Sequence, residues 1–416
     1  MSYDNLLNRG FVKQCSDEEA LRKFFATERV AFYAGFDATA DSLHIGSLVP
    51  IMAMANLQRD GHKAICLIGG ATTLIGDPSG KTEMRKMLSV EDIDANSRGV
   101  LGQMQRFLNL DGEAGMHVNN ADWCRNLNYI DFLRDIGKHF KVNEMIRMES
   151  YRVRLERQEG LSFIEFNYQL LQAYDFLVLN DRHGCALQIG GDDQWGNIVA
   201  GIGLIRQARR KEAYALTFPL LETASGKKMG KTESGAVWLD AAKTTPFDFF
   251  QYWINTDDRD VLKFLKLFTF LSLAEIAKFE RLEGSDLKPA KETLAFEVTK
   301  LVHGLDAATA AKSAANALFY KDRQGSDTVP GIELEERMLA TGIGIADLLV
   351  RAGLASSKSE ARRLVKQGGA YLNDERVASE TRLVTLQDLR NGSMLLRQGK
   401  KNYRKISTTA KKGDGL

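Results

Sequence analysis

Long apolar runs are missing from this 416-residue chain. No stretch approaches the ~20 residues that a helix needs to cross a bilayer, so a membrane protein is not expected. Cysteine is scarce, and Cys15, Cys66, Cys124 and Cys185 lie far apart with no paired spacing. That argues against a disulfide framework or a zinc site, and for reduced thiols in a cytoplasmic protein. The opening segment, Met1 to Arg9, is polar and acid-bearing, and reads as neither a secretory signal nor a transit peptide. Internal repeats and low-complexity tracts are absent. Net charge is also small, at +2.

The charge is unevenly placed. From Arg351 to Lys412, 15 Lys/Arg face only 5 Asp/Glu, a local net of +10, which leaves −8 on the rest of the chain. A basic module on an acidic body is the footprint of a nucleic-acid partner. With 44% hydrophobic residues the chain can build two or three domains with proper cores.

Apolar strands alternate with amphipathic helices over the first 220 or so residues. Strands are predicted at Val30–Phe36, Lys63–Gly69, Cys185–Ile189 and Ala215–Leu221. Helices are predicted at Leu48–Arg59, Val90–Leu108, Ile130–Phe140, Ser162–Asn180 and Trp195–Arg209. The alternation implies an α/β, Rossmann-like parallel-sheet domain over residues 1–226, with ligands at the C-terminal ends of its strands. A helical insertion interrupts it at about 120–165. Residues 227–320 hold a lysine-rich loop and then an α-helical domain, which Pro246 starts. Gly325, Ser326, Pro330 and Gly331 mark a linker at 321–336. A small α+β module, 337–416, closes the chain.

Two short motifs point to chemistry. His44-Ile45-Gly46-Ser47 falls where the first strand hands over to a helix N-terminus, a place suited to phosphate. Far along the chain, Ser225-Gly226-Lys227-Lys228-Met229-Gly230-Lys231-Thr232 reads as a loop whose lysines can reach a polyphosphate. Tyr168, Gln172 and Asp175 fall at i, i+4 and i+7, so they share one helix face.

The pair of motifs resembles the signatures of class I aminoacyl-tRNA synthetases. The surrounding Tyr33 to Gly46 stretch, Gly76-Asp77-Pro78-Ser79-Gly80-Lys81, Gln172-Ala173-Tyr174-Asp175 and Gln188-Ile189-Gly190-Gly191-Asp192-Asp193-Gln194 resemble the bacterial tyrosyl branch. Residues 337–416 are similar to the S4 RNA-binding fold. The resemblance implies a cytoplasmic, homodimeric tyrosine–tRNA ligase that uses ATP with Mg²⁺ carried on its phosphates, and no metal site in the protein. Its partners would be L-tyrosine, ATP and tyrosine tRNA, with the 120–165 insertion in the dimer interface.

By the same resemblance, His44, Lys228, Lys231, Lys81 and Arg85 would stabilise charge on the phosphates. Tyr33 and Asp175 would hold the substrate phenol. Asp77, Tyr168, Gln172 and Gln188 would hold the rest of tyrosine. Asp37, Thr39, His44, Gly46, Ser47, Gly191, Asp193, Gln194, Lys228, Lys231 and Thr232 would hold ATP. Three residues depart from the pattern: Ser47 where a second histidine is usual, Ala38 where proline is usual, and Pro50 early in the next helix. The sequence also leaves open a ligase for tryptophan and a catalytically silent RNA-binding protein.

Overall fold

A computed structural model describes residues 2–79, 88–157, 160–224, 226, 229, 231–232, 235–319, 330–390, 392–399 and 402–409. The chain forms two compact units. The first comprises 1–231, 236–240 and 257–290, and the second 232–235, 241–256 and 291–416. The stretch 227–320, expected to hold the lysine-rich loop and an α-helical domain, contributes residues to both.

The first unit is built on a six-stranded sheet: β1 (Gln14–Cys15), β2 (Ala31–Phe36), β3 (Lys63–Ile68), β4 (Gly115–Asn119), β5 (Leu187–Gly191) and β6 (Tyr214–Phe218), in the order β1-β6-β5-β2-β3-β4. All neighbours are parallel except β1, which pairs antiparallel with β6 at the edge. β3 is almost wholly buried and β2 mostly so, as strands covered on both faces must be. The chain winds one way from β2 to β4 and the other way from β5 to β6, so its order reverses between β2 and β5. A sheet of this kind opens a crevice at that reversal, beyond the carboxyl ends of the strands.

Two helices frame the crevice. Leu48–Arg59 is buried along most of its length and accepts Pro50 because the first turn has few internal bonds to lose. Phe163–His183 begins with a Ser162–Glu165 capping box and ends where Gly184 adopts φ 62°, the left-handed stop that glycine allows. A buried ion pair, Arg154 to Glu165 at 2.8 Å, ties the start of that helix to the preceding segment. Phe176, Leu179, Ile198 and Ile205 join Ile65 and Leu187 in the core beneath the sheet.

In the second unit a five-stranded sheet has the order β9-β8-β10-β11-β7, formed by β7 (Gly331–Glu335), β8 (Ala370–Leu372), β9 (Glu375–Arg376), β10 (Ser393–Gln398) and β11 (Asn402–Thr409). Residues 331–335 were expected to end the linker; instead they pair in parallel with β11. Helices Ile345–Arg351 and Lys358–Lys366 pack on this sheet through Leu348, Leu349, Ala361 and Val365. Also in this unit, the Arg404 guanidinium reaches both oxygens of Asp248, at 3.0 and 3.1 Å, in the first turn of helix Pro246–Ile254.

Candidate active site

The reversal between β2 and β5 holds a cavity of about 440 Å³. Tyr33, Asp37, Thr39, His44, Ser47, Asp77, Tyr168, Gln172, Asp175, Gln188, Gly191, Asp193 and Gln194 all line it, so residues spread over 160 positions of sequence meet around one space. Lys81, Arg85 and Lys228 lie outside the described residues. Lys231 and Thr232 form a short strand.

His44 caps the 3₁₀ turn Ile45–Ser47, and its Nδ1 accepts the Gly46 N–H at 3.0 Å. A neutral imidazole held this way carries its proton on Nε2. A Cβ on Gly46 would lie 2.7 Å from the His44 ring, so only glycine permits that ring position. Ser47 makes no capping bond with its side chain.

The backbone ties the first motif to residues 237–239, which follow the second. Ile45 N donates to Val237 O at 3.0 Å and Leu239 N to Leu43 O at 2.8 Å, with Trp238 edge-on to His44 at 6.3 Å. The segment that follows the lysine loop is therefore stitched beside His44.

The deep end of the cavity is polar and closed. Asp175 is 2% exposed; its Oδ2 accepts from Asn120 Nδ2 at 2.9 Å and its Oδ1 from the Trp123 indole at 2.8 Å. Burial pushes its carboxyl up to about 7 despite those donors. Beside it, burial raises the Tyr33 phenol well above its ordinary value, and the Asp175 charge adds to that. The Tyr33 hydroxyl and Gln188 Oε1 are buried without a partner among the described residues. The two side chains sit opposite each other in the β2–β5 register.

The polar groups form a chain of hydrogen bonds whose two ends lie on one helix. Asn120 donates to Asp175 and to Thr72, at 2.9 and 3.0 Å. Thr72 donates to Asp37 at 2.9 Å, and Tyr168 donates to the other Asp37 oxygen at 3.1 Å. Helix Phe163–His183 closes the circuit, because it carries both Tyr168 and Asp175. Asp37 thus meets a ligand with its carboxylate already oriented. Nearer the opening, Gln194 donates to Asp77 at 2.7 Å, and Asp77 in turn accepts the Ser79 N–H at 2.9 Å. A Cβ on Gly191 would stand 2.5 Å from Asp193.

Asn120 and Trp123 were not among the sequence candidates. Both follow β4, whose alternating, half-buried pattern gives a weak strand signal. The one sequence cue was a tryptophan, whose N–H needs an acceptor once buried.

A family profile described as tRNA synthetases class I (W and Y) matches residues 26–320. The chain belongs to this family. A second profile, the tyrosine–tRNA ligase SYY-like C-terminal domain, matches 323–406. Among curated class I relatives, a tyrosine–tRNA ligase of Desulfosudis oleivorans is 52% identical, covering 97% of this chain and 98% of the relative. One from Clostridium kluyveri is 51% identical over the same shares. Among solved synthetase structures, a C-terminally truncated mitochondrial tyrosyl-tRNA synthetase of Aspergillus nidulans aligns with TM-score 0.69 and 30% identity. That alignment covers 76% of this chain and 94% of the fungal one.

Proposed function

We propose that this chain activates L-tyrosine with ATP and transfers the tyrosyl group to the 3′ end of tyrosine tRNA. The deep end of the cavity carries the amino-acid assignment. A phenol seated there has an acceptor in Asp175 and a second partner in the Tyr33 hydroxyl. A side chain without the hydroxyl leaves both groups buried and unsatisfied. Asp77, Tyr168, Gln172 and Gln188 hold the remainder of the amino acid.

In the first step a tyrosine carboxylate oxygen attacks the α-phosphorus, the α–β P–O bond breaks, and pyrophosphate leaves. In the second, a hydroxyl of the terminal ribose of tRNA attacks the tyrosyl carbonyl and AMP leaves. The substrate carboxylate is itself the nucleophile, so the protein supplies position and charge stabilisation. His44 donates to the phosphates through Nε2, and Gly46 admits them close to the backbone. Lys228 and Lys231, with Lys81 and Arg85, neutralise the departing pyrophosphate. Asp37, Thr39, Ser47, Gly191, Asp193, Gln194 and Thr232 complete the nucleotide site, with the Asp37 carboxylate held in place by Tyr168 and Thr72. ATP enters as its Mg²⁺ complex, with the metal carried on the substrate.

The working enzyme is a cytoplasmic homodimer in this reading, with 337–416 serving the tRNA. Tyr129, Ile130, Val142, Leu155 and Phe163, all in or beside the 120–165 insertion, expose apolar side chains that a second copy would cover.

ATP–pyrophosphate exchange with each amino acid in turn tests the assignment. Exchange should depend on tyrosine, and Asp175→Ala should cost about 3 kcal/mol in tyrosine activation, the scale of an unsatisfied buried polar or charged group. Equal exchange with tryptophan, or an Asp175→Ala variant as active as the parent, would overturn it.

A further inference from the structure

One row of side chains crosses four strands of the second unit's sheet. The register sets Arg376 of β9 beside Tyr371 of β8, Tyr371 beside Arg397 of β10, and Arg397 beside Tyr403 of β11. Residues paired across a sheet project to the same face, so the row reads Arg–Tyr–Arg–Tyr. It is the face away from the core, since the alternate residues Leu372, Met394, Leu396 and Ile406 build the apolar cluster on the opposite side.

The row is organised as stacked planes. The Arg397 guanidinium lies 3.6 Å from the centroid of the Tyr371 ring and 5.8 Å from that of Tyr403. Its Nη1 donates to Gly399 O at 2.6 Å, which fixes the plane. Arg376 presses against Gly368, where any Cβ would overlap its guanidinium. Its cation is exposed.

The charges on this row are left over. Lys358, Lys366, Arg382, Arg390 and Arg404 each meet a carboxylate. Among the described residues, Arg376 and Arg397 meet none. Alternating cations and aromatic planes, uncompensated by acid, match the two faces of an unpaired nucleotide: a π-surface and a phosphate.

We propose that the Arg376–Tyr371–Arg397–Tyr403 row is a stacking platform for an unpaired RNA nucleotide, its base on the Tyr/Arg planes and its phosphate on Arg376. The proposal rests on the reading that this chain charges a tRNA. It assigns a contact on the opposite side of the sheet from helix Lys358–Lys366, which packs Ala361 and Val365 into the core.

The test uses the full-length protein, with fluorescence anisotropy on a labelled oligouridylate and on an RNA duplex of equal length. Tyr371→Leu should weaken oligouridylate binding by about tenfold, the size of one lost base–aromatic stack, and leave the duplex nearly unaffected. Tyr371→Phe keeps the ring and should bind like the parent. Arg397→Lys keeps the charge but not the plane, and should lose several-fold. Arg376→Gln should reduce the slope of log affinity against log salt by about one. Melting temperatures show whether the sheet is intact; if Tyr371→Leu unfolds, Arg397→Lys decides. Parent-like binding of oligouridylate by a folded Arg397→Lys and Tyr371→Leu would overturn the platform. Charging of tyrosine tRNA by the unmodified protein separates the two ideas. With charging present and the platform variants unaffected, the platform alone falls; with no charging of any tRNA, the underlying reading falls.

Discussion

Asp175 shows how a single residue carries both a specificity and a cost. Full burial raises its carboxyl from 3.8 to about 7, and the Asn120 and Trp123 donors only partly offset that. Between those two values the folded chain holds a proton that the unfolded chain releases. Stability from this group is therefore present at low pH and declines as pH rises from about 4 to 7. Asp175→Asn removes the titration. Thermal melts across that window should show the parent losing stability relative to Asp175→Asn as pH climbs. Parallel curves would mean that Asp175 titrates normally in the fold. The turn at His44 and Gly46 was legible in the sequence because it is local: one ring and one backbone N–H. Asn120 was not, because its role exists only once three distant segments have met around it.

At the scale of elements, helix Phe163–His183 brings Tyr168, Gln172 and Asp175 to the cavity, and its start is held by charge. Arg154 and Glu165 have side chains only 7% and 6% exposed. Removing one partner strands the other in a dry environment. Glu165→Ala should cost about 3–5 kcal/mol in chemical denaturation, whereas replacing both by apolar residues of similar size should cost much less. Equal costs would mean that water reaches the pair. Helices Leu48–Arg59 and Trp195–Arg209 have the bounds that their sequence patterns predict, since continuous apolar patterning and clear ends are local signals. Three of the strands that escaped prediction share the opposite property. β1 is two residues long, β4 alternates weakly at an edge, and β7 carries two glutamates and gains its identity only from its partner β11. Their pairing is long-range, and no window of sequence contains it.

At the scale of the whole molecule, every described residue assigned to tyrosine or nucleotide lies before residue 233, whereas the basic excess lies after Arg351. Ending the chain at Phe319 should leave tyrosine-dependent pyrophosphate exchange within a few-fold of the parent and abolish most transfer to tRNA. Charging by the full chain should fall steeply between low and physiological salt, as phosphate contacts predict. Normal charging by the shortened chain would remove 337–416 from the RNA contact. The chain of hydrogen bonds from Asp175 through Asn120, Thr72 and Asp37 to Tyr168 spans the ends of β2 and β4, a short helical turn and the long helix, so changing any member strands at least one other. Such a circuit shapes the routes open to descent. A lineage drifting toward a substrate without a hydroxyl would have to pass through single substitutions that each leave a polar group stranded. Preference for a different amino acid is therefore reached by replacing the circuit together, or scarcely at all.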